Sequence, residues 1–304
     1  MSVKETRSVF ASNQELARTS VDSTVDLVQM SSRSSDTMTT QLELGLQQAT
    51  ILTDKSDSES AFAMLIGGRD EKNNKFTRAC MKDVAAMKEL LIMSKMVPQK
   101  NIYIITQDAI RTEGEIDYLY LHIKRNKPKK LFLYFSGHSV PMALNQRRLY
   151  VGYEQGNALN TGKVETFIEG LLPGCTQLII ILDCCSAGEN ILLPTLPATF
   201  MPERIHAQLS SSRAGGTSYA SGEEISLFTY SLYSLLTGSC PNRNDNCLQC
   251  STISISQNGY VDLFDLTTTE LIKLMECVQE HMKHSNHPFS FLDLPEYVIN
   301  PAPE

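Results

Sequence analysis

Two short apolar runs, Leu131-Phe132-Leu133 and Leu178-Ile179-Ile180-Ile181-Leu182, constrain this chain more than any other feature. Short aliphatic runs of this kind read as buried strands of a parallel sheet. Each run gives way at once to small and reactive residues. The first leads into Tyr134-Phe135-Ser136-Gly137-His138-Ser139, and the second into Asp183-Cys184-Cys185-Ser186-Ala187-Gly188. A His and a Cys are therefore expected side by side at the carboxyl edge of one sheet, where open α/β folds gather their sites. A thiol beside an imidazole is the minimal equipment for nucleophilic cysteine catalysis.

The rest of the chain supports the same architecture. Further strands are expected over 63–66, running into Gly67-Gly68, and over Ile102–Ile105 and 205–211. The two apolar runs extend to strands at 130–135 and 177–182, and 149–152 reads as a short extended piece. Helices are expected over 83–95, 115–125, 164–172, 228–236 and 268–283. Val84, Met87 and Leu91 give the first its apolar stripe, Pro128 and Pro173-Gly174 follow the ends of two others, and Gly238 closes the fourth. Alternation of strands and helices implies a mostly parallel sheet covered on both faces.

Residues 1–58 differ in kind. Nineteen are Ser or Thr, Phe10 is the only aromatic and Pro is absent. Such a segment buries too little apolar surface to offset its ordering entropy, so it is expected to be largely disordered, as a solvated tail, a pro-segment or a recruitment arm. Residues 59–304 form the expected globular part. Within it, 189–204 reads as a linker, with Pro194, Pro197 and Pro202 close together. Residues 239–256 form a polar excursion holding Cys240, Cys247 and Cys250.

A net charge of −7 argues against nucleic acid or an anionic membrane as a partner. No apolar run approaches the ~20 residues of a membrane span, and residues 1–20 lack the apolar core of a secretory signal. The eight Cys are irregularly spaced, which fits reduced thiols in a cytoplasmic compartment better than a disulfide framework. Cys277, His281, His284 and His287 lack a second complete ligand pair. Together with Cys240, Cys247 and Cys250 they read as a solvated loop with helix-surface His rather than a zinc site.

Cys185 and His138 carry the expected chemistry. A thiol attacks as thiolate, and a neighbouring imidazole can take its proton and return one to the leaving amine. The backbone N–H groups of Cys185 and Ser139 are the expected oxyanion donors. Gly137, Ala187 and Gly188 are small enough to let a substrate backbone approach. Asp183 stands two residues before Cys185. From the residues alone it has two readings: a charge that raises the thiol pKa, or a partner for a substrate cation.

At these residues the chain resembles the caspase-like cysteine proteases, and among them the metacaspases. That family carries Tyr-Ser-Gly-His-Gly and Asp-Ser-Cys-His-Ser-Gly type motifs, matched here by Phe135-Ser136-Gly137-His138-Ser139 and Asp183-Cys184-Cys185-Ser186-Ala187-Gly188. Cys185 aligns with the nucleophile, and Cys184 replaces a Ser. Ala79-Cys80-Met81-Lys82-Asp83-Val84 is similar to the segment opening the family's first helix. Residues 209–219 are similar to its substrate-binding strand and loop. The likeness runs over about 61–291.

The resemblance implies a three-layer sandwich with a mostly parallel central sheet flanked by helices. It divides the domain into a large-subunit-like part, 59–188, and a small-subunit-like part, 205–304. It implies a cysteine endopeptidase acting on peptides with Arg or Lys at P1. Asp83 and Asp183 would hold that cation, and Ser210, Ser211 and Ser212 would line the cleft. Arg204 in the linker is the expected self-processing point. The family's association with regulated cell death comes by the same route.

No cofactor is required for the chemistry. Calcium activation occurs in the family, and Asp262 with Asp265 is the only candidate here. Monomer and homodimer both stay open. Two departures stand out: Ser139 replaces a Gly, and Ser186-Ala187 replaces His-Ser. Ser139 motivates one rival, an inactive caspase-like scaffold. Arg78 and Arg213 motivate another, an Asp-specific protease, but Asp183 would repel a substrate carboxylate.

Overall fold

Asn73 starts the first helix: its side chain accepts the N–H of Phe76 at 3.1 Å, an Asn N-cap that satisfies an otherwise orphaned donor. The computed structural model of the chain describes residues 61–70, 72–106, 109–141, 147–150, 158–189, 192–193, 205–218, 224–238, 259–284 and 294–300. Expectations for 1–58, for Arg204, for most of the 189–204 linker and for 239–256 lie outside these residues.

Nine strands are described. β1 (Ala61–Gly67), β2 (Ile102–Ile105), β3 (Lys130–Ser136), β7 (Gln177–Asp183), β8 (Ile205–Ser210) and β9 (Glu296–Asn300) form one sheet in the order β2-β1-β3-β7-β8-β9. All its pairings are parallel except β8 with β9. β4 (His138–Pro141), β5 (Arg147–Tyr150) and β6 (Ala158–Asn160) form a small antiparallel sheet. The helices are α1 (Asn74–Met93), α2 (Ala109–Arg125), α3 (Thr161–Leu171), α4 (Leu227–Leu236) and α5 (Thr268–His284).

Side chains alternate across the sheet and so divide the core in two. Ala63, Leu65, Phe132, Tyr134, Ile179, Ile181, Ala207 and Leu209 face α1, α4 and α5. Phe62, Met64, Leu131, Leu133, Leu178 and Ile180 face α2 and α3. This is the caspase-like three-layer sandwich, a mixed sheet of mostly parallel strands between two helical layers. β1, β3 and β7 are buried throughout or nearly so, which explains their unbroken apolar sequence.

Two expectations need correction. α1 begins at Asn74, well before residue 83, because its exposed first turns carry Asn, Lys, Thr and Arg and show no apolar stripe. Ala79 to Val84 thus lie inside the helix, not at its start. The sheet also ends beyond β8 in an antiparallel edge strand, β9, that the sequence pattern did not suggest. Gly238 does close α4, at φ +66°. None of the described helices is long and apolar enough to cross a membrane.

Candidate active site

The register of the sheet brings the two motifs together. Ser136 at the end of β3 pairs with Asp183 at the end of β7, and Gly67 of β1 pairs with Ser136. His138 and Cys185 each stand two residues beyond that level, His138 opening β4 and Cys185 in the turn after β7. Gly137 N donates to Asp183 O at 3.1 Å and fixes the first exit against the second. Ser186 follows Cys185 at φ +50°, a left-handed turn, and its N–H donates to Gly216 O at 2.7 Å.

A cleft of about 430 Å³ opens at this edge. His138, Cys185, Asp83 and Asp183 all line it, with Phe76 and Ser218. Cys185 is half-buried, while its neighbour Cys184 is buried. Burial and the nearby Asp183 carboxylate push the Cys184 thiol well above the ordinary range, so it is inert packing. Cys80, on the inner face of α1, is likewise pushed up by burial, to about 12.

The floor of the cleft holds two carboxylates. Asp183 lies on the same strand face as Ile179 and Ile181, and α1 projects Asp83 toward it from its buried stripe. Ser136 Oγ donates to Asp83 Oδ2 at 2.7 Å and Ser226 N donates to Oδ1 at 2.8 Å. Asp183 Oδ1 accepts from Ser218 Oγ at 2.6 Å. Its Oδ2 accepts from Thr229 Oγ1 at 2.6 Å and from Ser226 Oγ. Ser226 is the N-cap of α4, so both carboxylates lie at the positive end of that helix. Every named partner is a neutral O–H or N–H. Burial and then the charge of Asp183 push the Asp83 carboxyl up to about 8.

The rim holds His138. Phe76 stacks flat on its ring, with centroids 3.7 Å apart and planes 1° from parallel. Nε2 faces Asp70 Oδ2 at 3.8 Å. Burial pulls the imidazole pKa down, and Asp70 pulls it back up.

Residues 60–287 match the family model of the caspase domain. The chain belongs to the caspase domain family. Members of this family are cysteine peptidases. Among solved structures, caspase-1 from Spodoptera frugiperda is 12% identical, with TM-score 0.49, covering 80% of this chain and 87% of that one. A protein from Geobacter sulfurreducens is also 12% identical, with TM-score 0.47, covering 81% and 95%. The comparison with curated proteins gives no match.

Within this caspase fold, His138, Cys185, Asp83 and Asp183 meet in one cleft. Ser210, Ser211 and Ser212 do not line it. Ser210 lies on the opposite face of β8 from Leu209, and its Oγ accepts from Gln208 Nε2 at 3.3 Å. Ser211 Oγ donates to Cys184 O at 3.2 Å and accepts Cys184 N at 3.1 Å. Ser212 Oγ donates to Cys184 O at 3.0 Å and accepts Ala187 N at 3.1 Å. These serines brace the turn that carries Cys185 from behind. Ser139 is buried, and its hydroxyl lies against the Cys184 thiol rather than in the cleft.

Arg78 and Arg213 are absent from the lining as well. Asp262 Oδ1 accepts Phe264 N at 2.8 Å, and Asp265 pairs with Lys130 at 3.7 Å. Among the described residues no group of three or more His, Cys, Asp or Glu is disposed to hold a metal ion. Sequence reasoning missed Asp70, Phe76, Ser218, Ser226 and Thr229. Ser226-Leu227-Phe228-Thr229, with Ser at the head of an apolar helix, carried an N-cap signal that pointed to one of them.

Proposed function

We propose that this chain is a cysteine endopeptidase of the metacaspase type that cleaves after Arg or Lys. One observation carries the reading: the cleft shared by Cys185 and His138 has a floor of two buried carboxylates whose named partners are all neutral. A buried carboxylate pair without a counter-ion is costly, and a substrate guanidinium or ammonium relieves that cost. A P1 Asp would add a third carboxylate, and neither Arg78 nor Arg213 lines the cleft to receive it.

Cys185 Sγ attacks the scissile carbonyl carbon after His138 takes its proton. The sulfur–carbon bond forms as the carbonyl becomes an oxyanion. The backbone amides of Ser139 and Cys185, just past the ends of β3 and β7, are the proposed oxyanion donors. His138 then protonates the leaving amine, and water releases the acyl group. No cofactor takes part. Five described thiols, Cys80, Cys175, Cys184, Cys185 and Cys277, are unbridged, in keeping with a reducing, cytoplasmic setting. The place of Ser139, against Cys184 and outside the cleft lining, favours the peptidase reading over an inactive scaffold.

A P1 substrate-library profile of the full chain beside Cys185→Ala tests the proposal. Turnover confined to Arg and Lys substrates, and lost in the variant, is expected. Turnover after Asp, or none on any substrate, would refute it.

A further inference from the structure

Asp70 lies in the loop between β1 and α1, at the same sheet edge as His138 but outside both sequence motifs. It is 2% exposed. Its backbone and one carboxylate oxygen are fully committed to holding the loop. Asp70 N donates to Thr77 Oγ1 at 2.8 Å, and Thr77 Oγ1 donates back to Asp70 O at 2.9 Å. Oδ1 accepts Lys72 N at 2.9 Å and Asn73 N at 3.1 Å. The other oxygen, Oδ2, is turned to His138 Nε2. Asn73 in turn caps α1 and sets Phe76 at its first turn, flat against the imidazole. One short segment, Asp70 to Phe76, thus fixes the end and the face of the His138 ring.

We propose that Asp70 is the positioning residue of the catalytic pair, holding the His138 imidazole with Nε2–H toward Oδ2 and leaving Nδ1 to take the Cys185 proton. The inference rests on the peptidase reading of the cleft. In the resting pair, Nε2 carries the ring proton and Nδ1 is the lone-pair acceptor. When the Cys185 S–H bond breaks, its proton moves to Nδ1 and the electron pair stays on sulfur. The imidazolium so formed faces Oδ2, which stabilises it. Nδ1 later hands that proton to the leaving amine, and Nε2–H never leaves. A carboxylate beyond the ring fixes tautomer and orientation and favours the charged form, without itself becoming protonated. The 3.8 Å separation is an ion-pair distance that shortens when the ring becomes charged.

The other titratable or charged groups lining the cleft are Lys75, Cys80, Asp83, Asp183 and Cys185. Among the described residues, Asp70 is the group within ion-pair distance of the ring. Its charge opposes the downward pull of burial on the His138 pKa.

Asp70→Asn is the informative substitution. Asn keeps an Oδ1 acceptor for Lys72 N and Asn73 N, so the loop and the melting temperature are expected to hold, whereas the negative charge is removed. The full chain with Asp70→Asn is expected to lose at least about tenfold in kcat on an Arg peptide with little change in KM. Alkylation of Cys185 by iodoacetamide near neutral pH is expected to slow, because the imidazolium is less stable and the thiolate–imidazolium pair gives way to the neutral thiol–imidazole pair.

A second readout does not need turnover: the NMR titration of His138 in a Cys185→Ala background, with and without Asp70→Asn. The His138 titration is expected to move to lower pH when the Asp70 charge is removed. An unmoved titration and an unchanged alkylation profile would overturn the role of Asp70, even in an active peptidase. A wild-type chain that never turns over peptides, yet shows the His138 shift, would sink the peptidase reading and leave the positioning intact.

Discussion

The floor and the rim of the cleft are built in opposite ways. Asp83 and Asp183 are 2% and 3% exposed, and each of their four carboxylate oxygens receives an O–H or N–H donor. His138 and Cys185, two residues beyond the ends of β3 and β7, are only half-buried. The floor is thus a fixed electrostatic template supported by the sheet, α1 and the capped end of α4. The rim leaves Cys185 and His138 open to the cleft and relies on a stacked ring and the Asp70 contact for order. On the proposed reading, recognition is built rigidly and chemistry is built with access.

The largest way to break this contrast is at the rim. Cys185→Ala should lower kcat by roughly 10⁴-fold or more on an Arg peptide, as removal of a covalent nucleophile does. Its thermal melting should stay near the wild type, because a half-buried thiol contributes little packing. A variant retaining a tenth of the activity would show that another group does the chemistry.

The next largest effect lies in the floor. Asp183→Asn removes a carboxylate from the floor and misdirects donors toward Ser226 and Thr229. It should lower kcat/KM for Arg and Lys substrates by roughly a hundredfold or more. The rate of alkylation of Cys185 by a small, uncharged reagent should change far less. Equal loss in both assays would mean that Asp183 serves the nucleophile and not the substrate.

Asp83 sharpens the comparison through pH. Its folded pKa of about 8 lies above the ordinary 3.8, so the folded state binds this proton more tightly than the unfolded state. Its contribution to stability is full below about pH 4 and is lost as pH rises toward about 8. A bound P1 cation favours the deprotonated form, so the affinity of an arginine-like inhibitor should rise with pH over the same range. Denaturant unfolding at several pH values should show the stability slope in the wild type and a flatter line in Asp83→Asn. A slope of opposite sign would contradict the buried, protonated carboxyl.

The smallest expected effect comes from behind the cleft. Ser212→Ala removes the partner of Ala187 N and one of two hydroxyls on Cys184 O, at a cost of about 1–3 kcal/mol. Urea unfolding measures that loss. KM for Arg substrates should stay nearly unchanged, because Ser212 does not line the cleft.

Much of this arrangement was legible in the residues. β1, β3 and β7 announced themselves as unbroken apolar runs because both their faces are covered, and their exits carried His138 and Cys185. Asp183 was legible because it ends β7 two residues before Cys185, and Asp83 through the family's pattern. The start of α1 was not, since its first turns are polar and their role is to present Asn73 and Phe76 to the cleft. Ser210 was misassigned for a physical reason: alternation along β8 turns its side chain to the other face from Leu209. Asp70 and Thr229 lay outside any motif. Their roles arise from register and from packing between distant elements, which spacing along the chain does not encode.

The central claim is that a reactive Cys185 and a cation-binding floor share one cleft. Labelling the full chain with two peptidyl acyloxymethyl ketones, alike except for Arg or Asp at P1, tests it most directly, with the modified residue located by mass spectrometry. Rapid modification of Cys185 by the Arg reagent, slow modification by the Asp reagent, and loss of the preference in Asp183→Asn are the expected results. Equal rates for both reagents, or modification at any thiol other than Cys185, would contradict the account.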